Sequence, residues 1–119
     1  MSEVGVPEPS EIFAEMDAQP PLKRGEVAGM YLGKEVYWSL LFANADELSQ
    51  GGAWLLFRFD PDHVRMVVGT VRLIDYPSLR SLRVGETVFV RGRIRKIDIL
   101  SIELEIQDIV LLRTAEAIR

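Results

Sequence analysis

The order of elements in this chain depends on one stretch, Tyr76-Pro77-Ser78-Leu79-Arg80-Ser81-Leu82-Arg83. On both sides of it the sequence alternates between apolar and polar residues, and here the alternation stops. Proline suits the first turn of a helix because its missing amide is not needed there. Leu79 and Leu82, three positions apart, would share one side of that helix. The stretch therefore predicts a short helix that interrupts a series of strands.

Three strands are predicted before this helix, at residues 35–44, 53–60 and 63–74, because apolar side chains recur there at every second position. In the first two, one set of side chains would face inward: Val36, Trp38, Leu40, Phe42, Leu55, Phe57 and Phe59. Residues 43–52, rich in glycine and small polar residues, are predicted to form the loop between these two strands.

The second and third strands are predicted to form a hairpin through the turn Asp60-Pro61-Asp62-His63. With Asp60 facing His63, every inward residue meets an apolar partner, since Phe57 faces Met66 and Leu55 faces Val68. On the outer face, the same register predicts three cross-strand pairs: Arg58 beside Arg65, Leu56 opposite Val67, and Trp54 opposite Gly69.

Two more strands are predicted after the helix, at residues 86–96 and 101–112. Gly92 lies on the inward side of the first of these, where it would relieve crowding at a sharp bend. Five curved strands with a helix between the third and fourth are typical of an OB-fold, a small Greek-key barrel. A plain five-stranded meander is the rival, but it has no need of the helix. The predicted class is thus an all-β, five-stranded OB-fold barrel.

The N-terminal part is predicted to be a helical appendage. After a loose tail, Ser10 is expected to cap a helix over residues 11–18, which Gln19-Pro20-Pro21 ends. A second short helix is expected over residues 25–32, ended by Gly33. The predicted organisation is an appendage at 1–33, a barrel at 34–112 and a C-terminal tail at 113–119.

Two runs of sequence resemble a known group. They are Tyr31-Leu32-Gly33-Lys34-Glu35-Val36-Tyr37-Trp38 and, after Leu79, the run Leu82-Arg83-Val84-Gly85-Glu86-Thr87-Val88-Phe89-Val90-Arg91-Gly92-Arg93-Ile94. Both are similar to sequences of bacterial OB-fold proteins of the tRNA anticodon-binding-like group, over about residues 31–112. The resemblance implies an OB-fold with a binding role, and it carries over no catalytic residue.

Composition narrows the function further. The chain of 119 residues is 48% apolar, has no cysteine and one histidine, and carries a net charge of −4. Without cysteine, thiol catalysis and thiolate metal sites are excluded. No signal peptide is visible at the N-terminus, so we expect a cytoplasmic protein without a membrane association. Residues 58–96 hold nine basic and four acidic side chains, which points weakly to an anionic partner.

The candidate ligand-binding residues are five side chains predicted to face outward: Tyr37, Trp54, Arg58, Arg65 and Arg72. Aromatic rings stack on nucleobases, and arginines contact phosphates, so this set favours single-stranded nucleic acid. The face formed by strands 2 and 3 is also where OB-folds commonly hold oligonucleotides. The alternative is a protein-interaction or self-assembly surface formed by Trp54, Leu56 and Val67.

Other patterns are interpreted as structural. Arg91, Arg93 and Arg95 are expected to be neutralised by Glu103 and Glu105 on the next strand. Asp60, Asp62 and His63 resemble a small metal cluster, but the same residues build the predicted turn, and one histidine anchors a transition metal poorly. No serine has an evident histidine base. We therefore expect no enzyme activity, no metal and no cofactor.

Overall fold

The computed structural model describes residues 7–59 and 64–111. Its helices are α1 (Pro9–Asp17) and α2 (Arg24–Tyr31), and its strands are β1 (Glu35–Glu47), β2 (Gly52–Arg58), β3 (Met66–Arg72), β4 (Thr87–Ile97) and β5 (Ser101–Leu111). Short 3₁₀ turns lie at Pro21–Lys23, Ser49–Gly51, Leu73–Asp75 and Pro77–Ser81. No helix within the described ranges has both the length and the apolar character needed to cross a bilayer.

The five strands close into a barrel in the order β1-β2-β3-β5-β4, with β4 pairing back to β1. All neighbours are antiparallel except β3 and β5, which run parallel. That parallel pair skips β4, so the chain is not a meander, and the predicted OB-fold is confirmed. The predicted helix between β3 and β4 is a 3₁₀ turn at Pro77–Ser81, and its Leu79 is buried at one end of the barrel.

The core follows the alternation predicted for β1, β2 and β4. Trp38, Leu55, Phe57 and Val88 are all buried, and they share one cluster with the inward side chains of β5. In β1 the pairing shifts between Phe42 and Asn44. A bulge of this kind bends a strand. One long strand therefore pairs with β4 along its first half and with β2 along its second.

The predicted register of the β2–β3 hairpin is wrong by one residue. Leu55 faces Gly69 and Leu56 faces Val68, so Val67 lies in the core at 0% exposure. Gly69 explains the choice. A Cβ atom there would lie 2.5 Å from Cδ1 of Ile106, so the β5 side chain fills the space that Gly69 leaves inside the barrel. Because Val67 and Val68 are both apolar, alternation alone fits either register.

The N-terminal helices close the opposite end of the barrel. Ile12, Phe13 and Met16 of α1 join the barrel's core cluster, and the indole Nε1 of Trp38 donates a hydrogen bond to the Pro7 carbonyl at 2.9 Å. The prediction that Ser10 caps this helix is wrong. Glu8 is the N-cap, because Pro9 takes the first helical position.

Gly33 follows α2 with a φ of +83°, a conformation that favours glycine. Its N–H donates to the Ile94 carbonyl at 2.7 Å, which fixes the start of β1 against β4. The second predicted helix is thus present within one residue of its expected limits.

A candidate binding surface on strands β2 and β3

The outer face of β2 and β3 brings together three of the five predicted site residues. Trp54 lies between Asp46 of β1 and Thr70 of β3. Arg72 of β3 faces Gly52, which is two residues before Trp54 on the same outer face of β2. Trp54 and Arg72 are therefore diagonal neighbours, a spacing that long side chains bridge. Arg58 lies on the same face, four residues from Trp54 along β2.

Arg72 is the cation available for a ligand on this face. Its side chain is exposed, and within residues 7–59 and 64–111 it has no hydrogen-bond or ion-pair partner. An exposed guanidinium keeps all five N–H donors and binds phosphate or carboxylate in a bidentate manner.

Arg65 lies on the other side of the sheet from Arg58, so the expectation of two adjacent arginines is wrong. Its two terminal nitrogens donate to the Asp17 carboxylate at 2.6 and 2.7 Å, and its Nε donates to the Ile99 carbonyl at 2.9 Å. The guanidinium also lies 4.7 Å from the centroid of the Phe13 ring. The hydrogen bonds to Asp17 raise the pKa of Arg65, against an opposing effect of burial. Arg65 therefore ties α1 and residue 99 to the start of β3.

Tyr37 lies away from Trp54. Along β1, nine positions separate it from Asp46, the partner of Trp54, a path of about 30 Å at the usual rise per residue. Tyr37 instead stacks on Phe89 of β4, with ring centroids 5.9 Å apart, and is 56% exposed. The two aromatic residues therefore cannot form one stacking surface.

The apolar surface predicted for protein contacts also changes. Val67 faces the core, and Val68 takes its place opposite Leu56. Val68 is itself buried, whereas Trp54 and Leu56 are half-buried. Two of the three predicted residues, Trp54 and Leu56, thus remain on this face.

The arginines of β4 follow the predicted pairing with β5 only in part. Arg95 lies 3.9 Å from Glu103, and Arg93 faces Glu105 and forms an ion pair with Glu35 at 3.5 Å. Pairing with Glu103 or Glu105 is thus confirmed for Arg95, whereas Arg93 takes its ion-pair partner from β1 and Arg91 faces Asp108 of β5. The turn residues Asp60, Asp62 and His63 lie outside the described residues.

Two grooves meet at Arg72. The β3–β5 groove, about 480 Å³, is lined by Thr70, Arg72, Asp75, Tyr76 and Gln107, among others. A second groove of about 510 Å³ runs past Arg72 toward Arg80. Arg80 is held by Glu47, with Nη2 3.2 Å from Oε2.

Sequence reasoning missed Tyr76 and Gln107 as groove residues. Gln107 is the extra residue of a bulge in β5, because Arg91 faces Asp108 whereas Gly92 faces Ile106. The consecutive polar residues Gln107 and Asp108 were the sign of that bulge.

Comparisons with known proteins support the fold. No family model and no curated protein matches the chain. Among solved structures, it is similar to a provisionally named nucleic acid-binding lipoprotein from Klebsiella pneumoniae subsp. pneumoniae, with a TM-score of 0.61, 11% identity and 87% of each chain covered.

Two further structures are similar. Asparaginyl-tRNA synthetase from Pyrococcus horikoshii has a TM-score of 0.55 and 15% identity, over 76% of this chain and 22% of the synthetase. The S. pombe Stn1-Ten1 complex has a TM-score of 0.50 and 22% identity, over 75% of this chain and 71% of that one. These neighbours are OB-fold proteins, and the likeness shows that the chain has this fold.

Proposed function

We propose that this protein is a non-enzymatic cytoplasmic module that binds single-stranded nucleic acid on the outer face of β2 and β3. The observation that carries the proposal is the diagonal placement of Trp54 and Arg72, an aromatic ring beside an unpaired arginine of the described chain. We also propose that the chain is a member of the tRNA anticodon-binding-like group that its sequence resembles.

Each residue has a defined part in binding. The Trp54 ring stacks on a base, and such a contact contributes about 1–3 kcal/mol. Arg72 contacts the phosphate next to that base, and Arg58 extends the cationic side of the face. Tyr37 and Arg65 have no part, because one lies on another face and the other is held by Asp17. A similar structure whose name includes nucleic-acid binding supports this choice of ligand.

The charges around Trp54 limit the electrostatic share of the affinity. Asp46 flanks Trp54, and Glu105 lies beyond Thr70, so the acidic groups offset the arginines. Stacking therefore supplies most of the binding, with one or two phosphate contacts. With one or two phosphate contacts to a single strand, the affinity should fall about threefold to sevenfold between 50 and 200 mM salt.

Fluorescence anisotropy with a labelled single strand of about ten nucleotides tests this at both salt concentrations. We expect Trp54→Ala to weaken binding roughly tenfold at either salt. Arg72→Ala should weaken binding at low salt and flatten the salt dependence. Lys23→Ala removes the same charge from the N-terminal helical segment (residues 9–31). It serves as the control that leaves binding unchanged.

Two results would overturn the proposal. One is no binding at 50 mM salt, and the other is binding that neither Trp54→Ala nor Arg72→Ala changes.

Self-assembly is the second candidate, favoured by the apolar side chains of Trp54 and Leu56 on an outer face. Sedimentation over a range of concentrations would then show association, and Leu56→Asp would abolish it. In that case oligonucleotides would leave the sedimentation unchanged.

A further inference from the structure

The β3–β5 groove contains a buried acceptor without a donor. Oε1 of Gln107 is buried and has no hydrogen-bond partner among the described residues. Leaving such an atom unsatisfied costs free energy, and native proteins do so rarely. Gln107 lies at the bulge of β5, where the strand's regular pairing no longer fixes it.

The groups around Gln107 include further acceptors. The Tyr76 hydroxyl donates its one proton to the Gln107 backbone carbonyl at 3.3 Å. Burial first, and then the carboxylates of Asp108 and Asp75, raise the pKa of Tyr76, while Arg91 lowers it. The Asp75 carboxylate lines the wall at this end of the groove, whereas Asp108 faces Arg91. A ligand group that pairs with Asp75 and with Oε1 of Gln107 must therefore bring N–H donors.

The rim of the groove carries a positive charge, that of Arg72. Arg72 lines both the β3–β5 groove and the second groove beside it, and it is the residue diagonal to Trp54. A ligand with donors at one end and a negative group at the other fits this arrangement. A basic protein side chain would satisfy Asp75 and Gln107 but would be repelled by Arg72.

We propose that the β3–β5 groove selects a guanine nucleotide within a bound single strand. Guanine carries adjacent N1–H and N2–H₂ donors on one edge, which would face Asp75 and Oε1 of Gln107, with its phosphate on Arg72. Adenine and cytosine each present one amino group on that edge, and thymine and uracil one ring N–H, so each leaves an acceptor unpaired. The inference rests on the proposed function and adds base selectivity to it.

The test compares four labelled oligothymidylates of equal length at 50 mM salt. One is unmodified, and the others carry a single central guanine, adenine or cytosine. We expect the guanine-containing strand to bind roughly tenfold more tightly than the rest, as a good bidentate contact provides. Gln107→Leu and Asp75→Asn should each remove that preference, with affinity for the unmodified strand unchanged. Asp46→Asn, the same charge change beside Trp54 but outside the groove, should keep it.

Stability gives a second readout for Gln107. Because its Oε1 is buried without a partner, Gln107→Leu should unfold at an equal or higher urea concentration than the original protein. A lower midpoint together with an unchanged guanine preference would assign the amide a structural role and overturn the inference.

The two proposals fail in different ways. Equal binding of all four strands, weakened by Trp54→Ala, would overturn guanine selection and leave the proposed function in place. Binding of none of the strands would overturn both. A preference for guanine that persists in Gln107→Leu and Asp75→Asn would place the selective contact elsewhere and overturn the inference.

Discussion

At the scale of single residues, Gly92 shows how closely the backbones of β4 and β5 approach. A Cβ atom at Gly92 would lie 2.6 Å from the carbonyl oxygen of Glu105, which is backbone and cannot move aside without disturbing the pairing. The sequence predicted the reason for this glycine, relief of crowding at a bend, from its place on the inward side of the strand.

We predict that Gly92→Ala lowers the free energy of unfolding by about 1–3 kcal/mol, because the added methyl group overpacks the site. Gly29→Ala is the matched control. Gly29 lies within α2 with nothing within 4 Å of its added Cβ atom, so alanine should stabilise the protein by about 0.5–1 kcal/mol. Urea unfolding of both variants measures the difference, and a tolerated Gly92→Ala would contradict the close approach.

At the scale of elements, Arg65 fastens α1 to the barrel. Its side chain is 16% exposed, and it combines two hydrogen bonds to Asp17, one to the Ile99 carbonyl and a cation–π contact with Phe13. Bidentate, partly buried pairs of this kind contribute more than solvent-exposed ones.

Arg65→Ala should therefore lower the free energy of unfolding by about 2 kcal/mol. Arg95→Ala, which breaks the more exposed pair with Glu103, should cost less than about 0.5 kcal/mol. A double-mutant cycle with Asp17→Ala isolates the pair, for which we expect a coupling of about 1 kcal/mol. A coupling near zero would show that the pair with Asp17 adds no stability and that Arg65 acts through its contacts with Ile99 and Phe13.

The β4–β5 connection depends on a carboxylate. Oδ1 of Asp98 accepts hydrogen bonds from the backbone N–H groups of Leu100 and Ser101, both at 2.9 Å. The bond from Leu100 is the main cause that lowers the pKa of Asp98 below its usual 3.8, against an opposing effect of burial.

A lowered folded-state pKa stabilises the protein above the unfolded value, and this contribution disappears as the pH falls through the folded pKa. Asp98→Asn should thus be less stable than the original protein at pH 7, and the difference should narrow below pH 3.8. Thermal unfolding of both proteins across that range measures it. A difference that stays constant with pH would show that the charge of Asp98 plays no part.

At the scale of the whole molecule, the helical segment and the barrel share one core. Phe13 of α1 stacks on Phe59 at 5.7 Å, and the Trp38 indole, inside the barrel, hydrogen-bonds to Pro7. The 3₁₀ turn with Leu79 closes the other end. Loss of packing at either end should therefore lower the stability of the entire barrel.

We predict a single cooperative unfolding transition, with Phe13→Ala lowering its free energy by about 3–5 kcal/mol. In a Trp54→Phe background, Trp38 is the remaining tryptophan, so its fluorescence reports on the barrel interior. Fluorescence and far-UV circular dichroism should give the same midpoint, lowered equally by Phe13→Ala. An unchanged fluorescence midpoint in that variant would mean that the segment folds separately from the barrel.

The sequence by itself determined the order of the elements, the inward side of β1, β2 and β4, and the turn that plugs one end of the barrel. These features follow from local patterns, because side chains two residues apart share a strand face and proline marks the start of a helical turn.

The tertiary structure alone decided the register of β3 and, as a result, the positions of Arg65 and Arg72. Val67 and Val68 satisfy either register locally. The choice depends on Ile106, which comes from a distant strand and occupies the space beside Gly69. That choice turns Arg65 toward Asp17 and leaves Arg72 beside Trp54, contacts between segments far apart in the chain that no local period encodes.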